Sequence, residues 1–169
     1  PCYQDSVADE IQYILEHAEV KIAVVENQEQ VDKLLEIQSR LPLLNNIFFD
    51  DPRGLENYKE ENVSWLNTII KNNKNLNAKL DEEIDKTSKD DISIMLYTSG
   101  TTGRPKGVLL SYNNIISVTS VACDLENTSS DDEVVAYLPM AWVGDNIFCV
   151  AQSYISGFCI NCPESRDTL

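Results

Sequence analysis

The sequence predicts an α/β fold, a largely parallel sheet with flanking helices. Three observations point there. Short β-prone apolar runs alternate with segments of helical period, the succession expected of βαβ units. The 169 residues, 43% hydrophobic and 24% charged, suffice for one globular unit with its own core. A glycine- and hydroxyl-rich loop also follows an apolar run at residues 92–97, which places it at the carboxyl end of a strand, where ligands collect in such sheets.

The elements follow in order. Ser6 is a candidate cap for a first helix with Ile11, Ile14, Leu15 and Ala18 on one face, the 3.6-residue period. Residues 21–25 read as a short buried strand. Asn27 and Gln30 then form a capping pair before Val31, Leu34, Leu35 and Gln38. A strand at 47–49 leads into the turn cluster 50–54, and residues 55–91 form a polar surface excursion with weak helical periodicity around Trp65, Ile69 and Ile70. The KLDEEIDK run inside it is a solvated helix or loop. After the strand at 92–97 and its loop, residues 108–110 extend a strand and Ser111 caps a helix carrying Ile115, Ile116, Val118, Thr119 and Ala122. A polar turn at 131–133, a strand at 134–138, a helix at 143–155 ended by Gly157, and a strand at 158–160 complete the succession.

The loop carries the chemistry. Thr98, Ser99, Gly100, Thr101, Thr102 and Gly103 add little bulk beyond hydroxyl groups, so backbone amides can approach phosphate oxygens closely. Gly100, Gly103 and Gly107 permit backbone angles that let successive amides turn inward as an anion nest. Pro105 stiffens the exit and Lys106 adds a mobile positive charge, whereas Arg104 reads as an ordinary exposed side chain. A flexible Ser/Thr/Gly linker is the plain alternative, and the flanking strand argues against it. A P-loop NTPase is disfavoured, because Pro105 stands where the second glycine of that motif belongs.

The stretch IMLYTSGTTGRPKGV at 94–108 resembles, nearly letter for letter, the phosphate-binding signature of the adenylate-forming superfamily of acyl-CoA synthetases, aryl-CoA ligases, luciferases and adenylation domains. AYLPMAWVGDNIF at 136–148 resembles the second signature of that superfamily. The whole chain, including residues 3–37 and the terminal INCPESRDTL, is similar to the bacterial long-chain fatty acyl-CoA synthetase branch.

The resemblance implies that residues 1–169 are a partial N-terminal domain, with 92–169 supplying the phosphate loop and acyl pocket. It implies a parent that joins a fatty acid to CoA with ATP and Mg²⁺ through an acyl-adenylate. Thr98, Ser99, Gly100, Thr101, Thr102, Gly103 and Lys106 would bind the ATP phosphates, with Thr98 a candidate Mg²⁺ contact. Trp142, Val143 and Gly144 would line the acyl pocket or its thiol-access tunnel. Many relatives carry His where this chain has Trp142, and a tryptophan cannot act as a base. Trp142 therefore reads equally as a pocket wall or a packing residue. The adenine, ribose, Mg²⁺-glutamate and catalytic-lysine segments of the family are expected beyond Leu169, so the fragment is expected to be inactive alone. An adenylating ligase for another carboxylate, or a noncatalytic module keeping the fold, remain as alternatives.

Charge and composition bound the partners. With 13 Lys+Arg against 28 Asp+Glu the chain has a formal net charge of −15, which disfavours nucleic acid. Between residues 92 and 123, however, the only charged side chains are Arg104 and Lys106. This island governs phosphate binding locally, since carboxylates beyond a Debye length of about 8 Å are screened. No apolar run reaches the roughly 18 residues of a membrane span. The expectation is a cytoplasmic protein whose parent has room for peripheral membrane contact. The chain starts at Pro1 and reads as an internal piece of a longer polypeptide. Cys2, Cys123, Cys149, Cys159 and Cys162 read as free thiols, mostly buried. The Cys159/Cys162 pair lacks the second ligand pair of a zinc site and the helix start of a redox pair.

Overall fold

In the computed structural model the described residues are 1–72, 77–98 and 104–163, and they form two compact units. The first, Gln4–Lys86, is built on a three-stranded parallel sheet, β1 (Ile22–Val25), β2 (Asn46–Phe49) and β3 (Val63–Trp65), in that spatial order. Helices α1 (Ala8–His17) and α2 (Gln28–Ile37) supply Ile11, Leu15, Val31, Leu34 and Ile37 to a core shared with Ile47, Phe49 and Leu55. The i, i+4 spacing of Ile11 and Leu15 and the i, i+3, i+6 spacing of Val31, Leu34 and Ile37 make one apolar face per helix. Asn27 caps α2 by accepting from the Gln30 amide at 3.3 Å, as its sequence signal implies.

Three expectations need correction in this unit. The cap of α1 is Val7, extended and without a side-chain hydrogen bond, rather than Ser6; Asp9 and Glu10 in the first turn complement the helix dipole instead. Strand β1 is covered on one face only: Ala23 and Val25 pack against the core, whereas Ile22 and Val24 on the other face are exposed. The polar stretch 55–91 is not solely a surface excursion. Leu55 joins the core, and Val63–Trp65 pairs with β2 in parallel register, Ile47 opposite Val63. Trp65 Nε1 donates to Asp50 O at 2.8 Å, fastening that strand to the turn after β2. Outside Leu55 and that strand, the described side chains of the stretch are mostly exposed, those of α3 (Leu66–Asn72) and α4 (Asn77–Lys86) included, as the polar reading expects.

The second unit comprises Pro1–Tyr3 and Thr87–Leu169. Strands β4 (Ile92–Thr98) and β5 (Lys106–Ser111) form an antiparallel hairpin, and β6 (Glu133–Val135) pairs in parallel with β7 (Cys159–Asn161). The parallel pairing predicted for the chain holds in the first sheet and in β6–β7, and the hairpin is the exception. Helix α5 (Tyr112–Glu126) starts with a full capping box, Ser111 with Asn114. Strand β6 stops at Val135 instead of running to Leu138, because its partner β7 ends at Asn161, and a last bond from the Ala136 N–H to Asn161 O at 3.0 Å closes the ladder. The helix after it runs from Val143–Asp145 through a π-helical stretch, Asn146–Ala151, into Gln152–Ser156, and is called α6 here. Gly157, at φ +79°, ends it in the left-handed conformation, as its position in the sequence implies.

Candidate nucleotide and acyl site

Strand β4 is apolar and β-prone, and its partner β5 returns along it with Thr98 directly opposite Lys106. Directly opposed residues of an antiparallel pair share one face, roughly 5 Å apart at Cβ. The hydroxyl and the ammonium-bearing stem therefore flank the loop on the same side. Both residues are exposed. Lys106 is the first residue of β5 rather than part of a free loop, so its Cα is fixed by the ladder. Ser99, Gly100, Thr101, Thr102 and Gly103, expected to grip phosphate, lie outside the described residues.

Gly107 has a role different from the one its sequence context suggests. Its φ is not in the left-handed region, where Gly54 and Gly157 are the described glycines. A Cβ at Gly107 would instead stand 3.0 Å from Met95 Sδ and 3.4 Å from Tyr97 Cζ. The missing side chain lets these two β4 residues lie across β5 at the root of the loop.

The second candidate segment is the bend from Pro139 into α6. Trp142 is the N-cap residue of the helix, extended and half-exposed at 50%. Its backbone N–H donates to Pro139 O at 2.9 Å. Trp142 is thus not a core residue among the described ones, and its ring is available as a surface. Val143 is exposed, whereas Gly144 is buried, with the Trp142 ring and Leu138 within 4 Å of where its Cβ would be. Gly144 therefore seats the indole and is not itself an open pocket wall. The side-chain amide of Asn146 donates to Met140 O at 2.9 Å and Trp142 O at 3.0 Å, so it braces the same bend.

Below the bend, the first turn of α6 buries Asp145 to 4% exposure, and its Oδ1 has no hydrogen-bond partner among the described residues. One turn on, burial together with the Asp145 carboxylate pushes the Cys149 thiol up to about 11. Helix α6 is held to α5 by Gln152 Nε2 donating to Glu126 at 2.9 Å and by Ser156 Oγ donating to Cys123 Sγ at 3.1 Å.

Between β4, α5 and α6 lies a mostly apolar cavity of about 310 Å³, walled by residues including Ile94, Ile115, Ile116, Asn146, Val150 and Tyr154. It begins at Asn146, one helical turn beyond Trp142. The sequence reading missed this cavity and the roles of Asn146 and Asp145. The i, i+4 spacing of Val150 and Tyr154 behind Asn146 is the signal the sequence carries, and by itself it looks like ordinary helix periodicity.

Cys123 and Cys149 are buried, whereas Cys2, Cys159 and Cys162 are exposed, so the expectation of mostly buried thiols is met by two of the five. Among the described residues no helix is long and apolar enough to cross a membrane, and no cluster of three or more His, Cys, Asp or Glu side chains is poised for a metal. Thr98 offers a single neutral oxygen. That fits a hard cation whose remaining ligands come chiefly from substrate phosphates, and it does not fit a site held by this unit alone.

Comparison with known proteins gives a consistent result. The sequence model of the AMP-binding enzyme family matches residues 1–169. The chain is 35% identical over 144 residues to a long-chain-fatty-acid–CoA ligase, ACSBG2, of Homo sapiens, covering 83% of this chain and 21% of that protein. It is 31% identical to fatty acyl-CoA synthetase B of Dictyostelium discoideum, over 88% of this chain and 22% of that protein. The chain thus spans about a fifth of the length of these curated relatives. Among solved structures, the anthranilate CoA ligase AuaEII in complex with anthranoyl-AMP superposes with a TM-score of 0.72 at 19% identity, over 97% of this chain and 30% of that one. ATP-bound MatB from Rhodopseudomonas palustris gives 0.65 at 21% identity, over 95% and 29%. At these identities the structural likeness speaks to the fold.

Proposed function

The chain belongs to the AMP-binding enzyme family, and from that premise we propose that it is part of an AMP-forming long-chain fatty acyl-CoA synthetase. The observation that carries the reading is the hairpin register. Thr98 and Lys106 face each other across the two ends of a glycine-, serine- and threonine-rich loop. ATP is the proposed nucleotide, with Thr98, Ser99, Gly100, Thr101, Thr102, Gly103 and Lys106 around its β- and γ-phosphates.

In this reaction the fatty carboxylate attacks the α-phosphorus in line, forming the acyl-adenylate and releasing pyrophosphate. The CoA thiol, giving up its proton, then attacks the acyl carbonyl and AMP leaves. The loop contributes positioning and charge neutralisation: hydroxyls and amides hold the leaving pyrophosphate, and Lys106 offsets the charge that develops on it. Mg²⁺, when bound, adds further charge neutralisation on the phosphates, and Thr98 is the residue of this unit that would touch it. Trp142 needs no base function here. A carboxylic acid with a pKa near 4 is already ionised at pH 7, so the first step has no proton to remove. The indole serves as a wall over the carboxyl end, and the apolar cavity beyond Asn146 takes part of the aliphatic tail.

Because the chain spans about a fifth of its relatives, the activity belongs to the whole protein. On this reading the 169-residue chain alone does not turn over, and the whole protein acts in the cytoplasm with room for peripheral membrane contact. The test is fatty-acid-dependent ATP–pyrophosphate exchange by the whole protein. Thr102→Ala and Lys106→Ala are each expected to slow exchange by roughly tenfold or more, as for loss of a preorganised charge-stabilising group. Unchanged exchange in both variants would count against the loop assignment.

A further inference from the structure

We propose that Asn146 is a positioning residue, whose side-chain amide locks the bend that carries Trp142, next to the apolar cavity that Asn146 itself lines, and so sets how deep an acid sits. The inference rests on the acyl-ligase reading above.

Three observations converge on this residue. Trp142 is a helix N-cap with no side-chain cap of its own, so the usual Ser, Thr, Asp or Asn device for fixing the entry of a helix is missing. Asn146 replaces it from within the helix. Its backbone N–H goes to Val143 O, and its side-chain Nδ2 donates to Met140 O at 2.9 Å and Trp142 O at 3.0 Å. Two carbonyls on either side of Ala141 are thereby held by one planar group. An amide is the side-chain group of this length with two such donors, and a carboxylate in its place would face two carbonyl oxygens.

Asn146 also lines the cavity. The same residue therefore borders the apolar compartment and holds the backbone that carries the indole. The Asp145 next to it is buried and the Asn146–Ala151 stretch is π-helical, so the local chain departs from a regular helix where the amide is needed. Loss of the two bonds frees the 140–142 bend while leaving the β4–β5 hairpin and its loop untouched. The expected defect is confined to the acid and spares ATP.

The experiment measures acid-dependent ATP–pyrophosphate exchange by the whole protein with saturated fatty acids of graded length, for wild type, Asn146→Ala, Asn146→Asp and Asn146→Gln. Misplacement on the ångström scale predicts that Asn146→Ala loses roughly ten- to hundredfold in kcat/KM for the acid, with KM for ATP within about twofold of wild type. Asn146→Asp should lose at least as much. Asn146→Gln, which keeps the two donors on a longer arm, should recover part of the rate with a changed preferred chain length. If Asn146→Ala does not fold, the Asp and Gln variants carry the same comparison. Wild-type kcat/KM across the acid series, or a loss shared equally by acid and ATP, would overturn the positioning role. A wild-type protein silent toward every acid would overturn the acyl-ligase reading and this inference with it.

Discussion

Lys106 and Gly107 are adjacent, and the strand gives them opposite tasks. Lys106 presents a charge at the mouth of the loop, while Gly107 removes a side chain so that Met95 and Tyr97 can cross beneath it. Because the nearest atom is the soft end of a methionine, Gly107→Ala is expected to cost no more than about 1 kcal/mol in denaturant unfolding. Gly157 differs, since its φ of +79° strains any L side chain. Gly157→Ala should cost about 1–2 kcal/mol and exceed the Gly107 effect in the same assay. Cys149 gives a pH prediction. With its thiol pushed up to about 11 from 9.0, the unfolded chain releases this proton near pH 9 while the folded chain keeps it. Stability therefore falls as pH rises from about 9 toward 11. Unfolding melts across that window should show a shallower decline in Cys149→Ala. Iodoacetamide at pH 8 should label the exposed Cys159 and Cys162 well before Cys149.

At the scale of elements, signals local to a few residues were legible. The Asn27 and Ser111 caps and the Gly157 stop needed no tertiary context, because each satisfies backbone groups of its own helix. Ser111→Ala should cost about 1 kcal/mol, read by thermal or denaturant unfolding. Strand β3 was not legible. Val63, Ser64 and Trp65 are too few to show a period, and their strand character comes from pairing with β2 and from the Trp65 bond to Asp50. Trp65→Phe, which keeps the ring and removes the donor, should lose about 1 kcal/mol. The hairpin direction was also hidden. A glycine-rich loop after a strand suits a crossover as well as a return, and only the register of Thr98 with Lys106 decides it.

For the whole molecule, a net charge of −15 argues against nucleic acid, and on the proposed reading phosphate binding falls to a small cationic island. The motif letters pointed to the loop and to Trp142, and they could not reveal which neighbours brace them. Asp145 stands out through burial that arises when α6 packs, and Asn146 through bonds to the 140–142 bend that the motif letters do not announce. At this scale the expectation is that the 169-residue chain, about a fifth of its relatives' length, binds ATP too weakly for calorimetry to detect. Micromolar affinity would contradict the view that the nucleotide site is shared with the rest of the protein.

The π-helical turn in α6 makes residue count itself a structural variable. Such a turn accommodates one extra residue relative to an α-helix, and each residue of an α-helix advances the azimuth by about 100°. Deleting a single residue within Asn146–Ala151 would let the segment rewind as ordinary helix, with no loss of helicity by circular dichroism. The downstream face would keep its direction, because the bulge has already absorbed the extra residue, and Gln152 would still reach Glu126 and Ser156 still reach Cys123. Deleting a second residue would rotate that face by about 100° and unlatch the two helices while each remained intact.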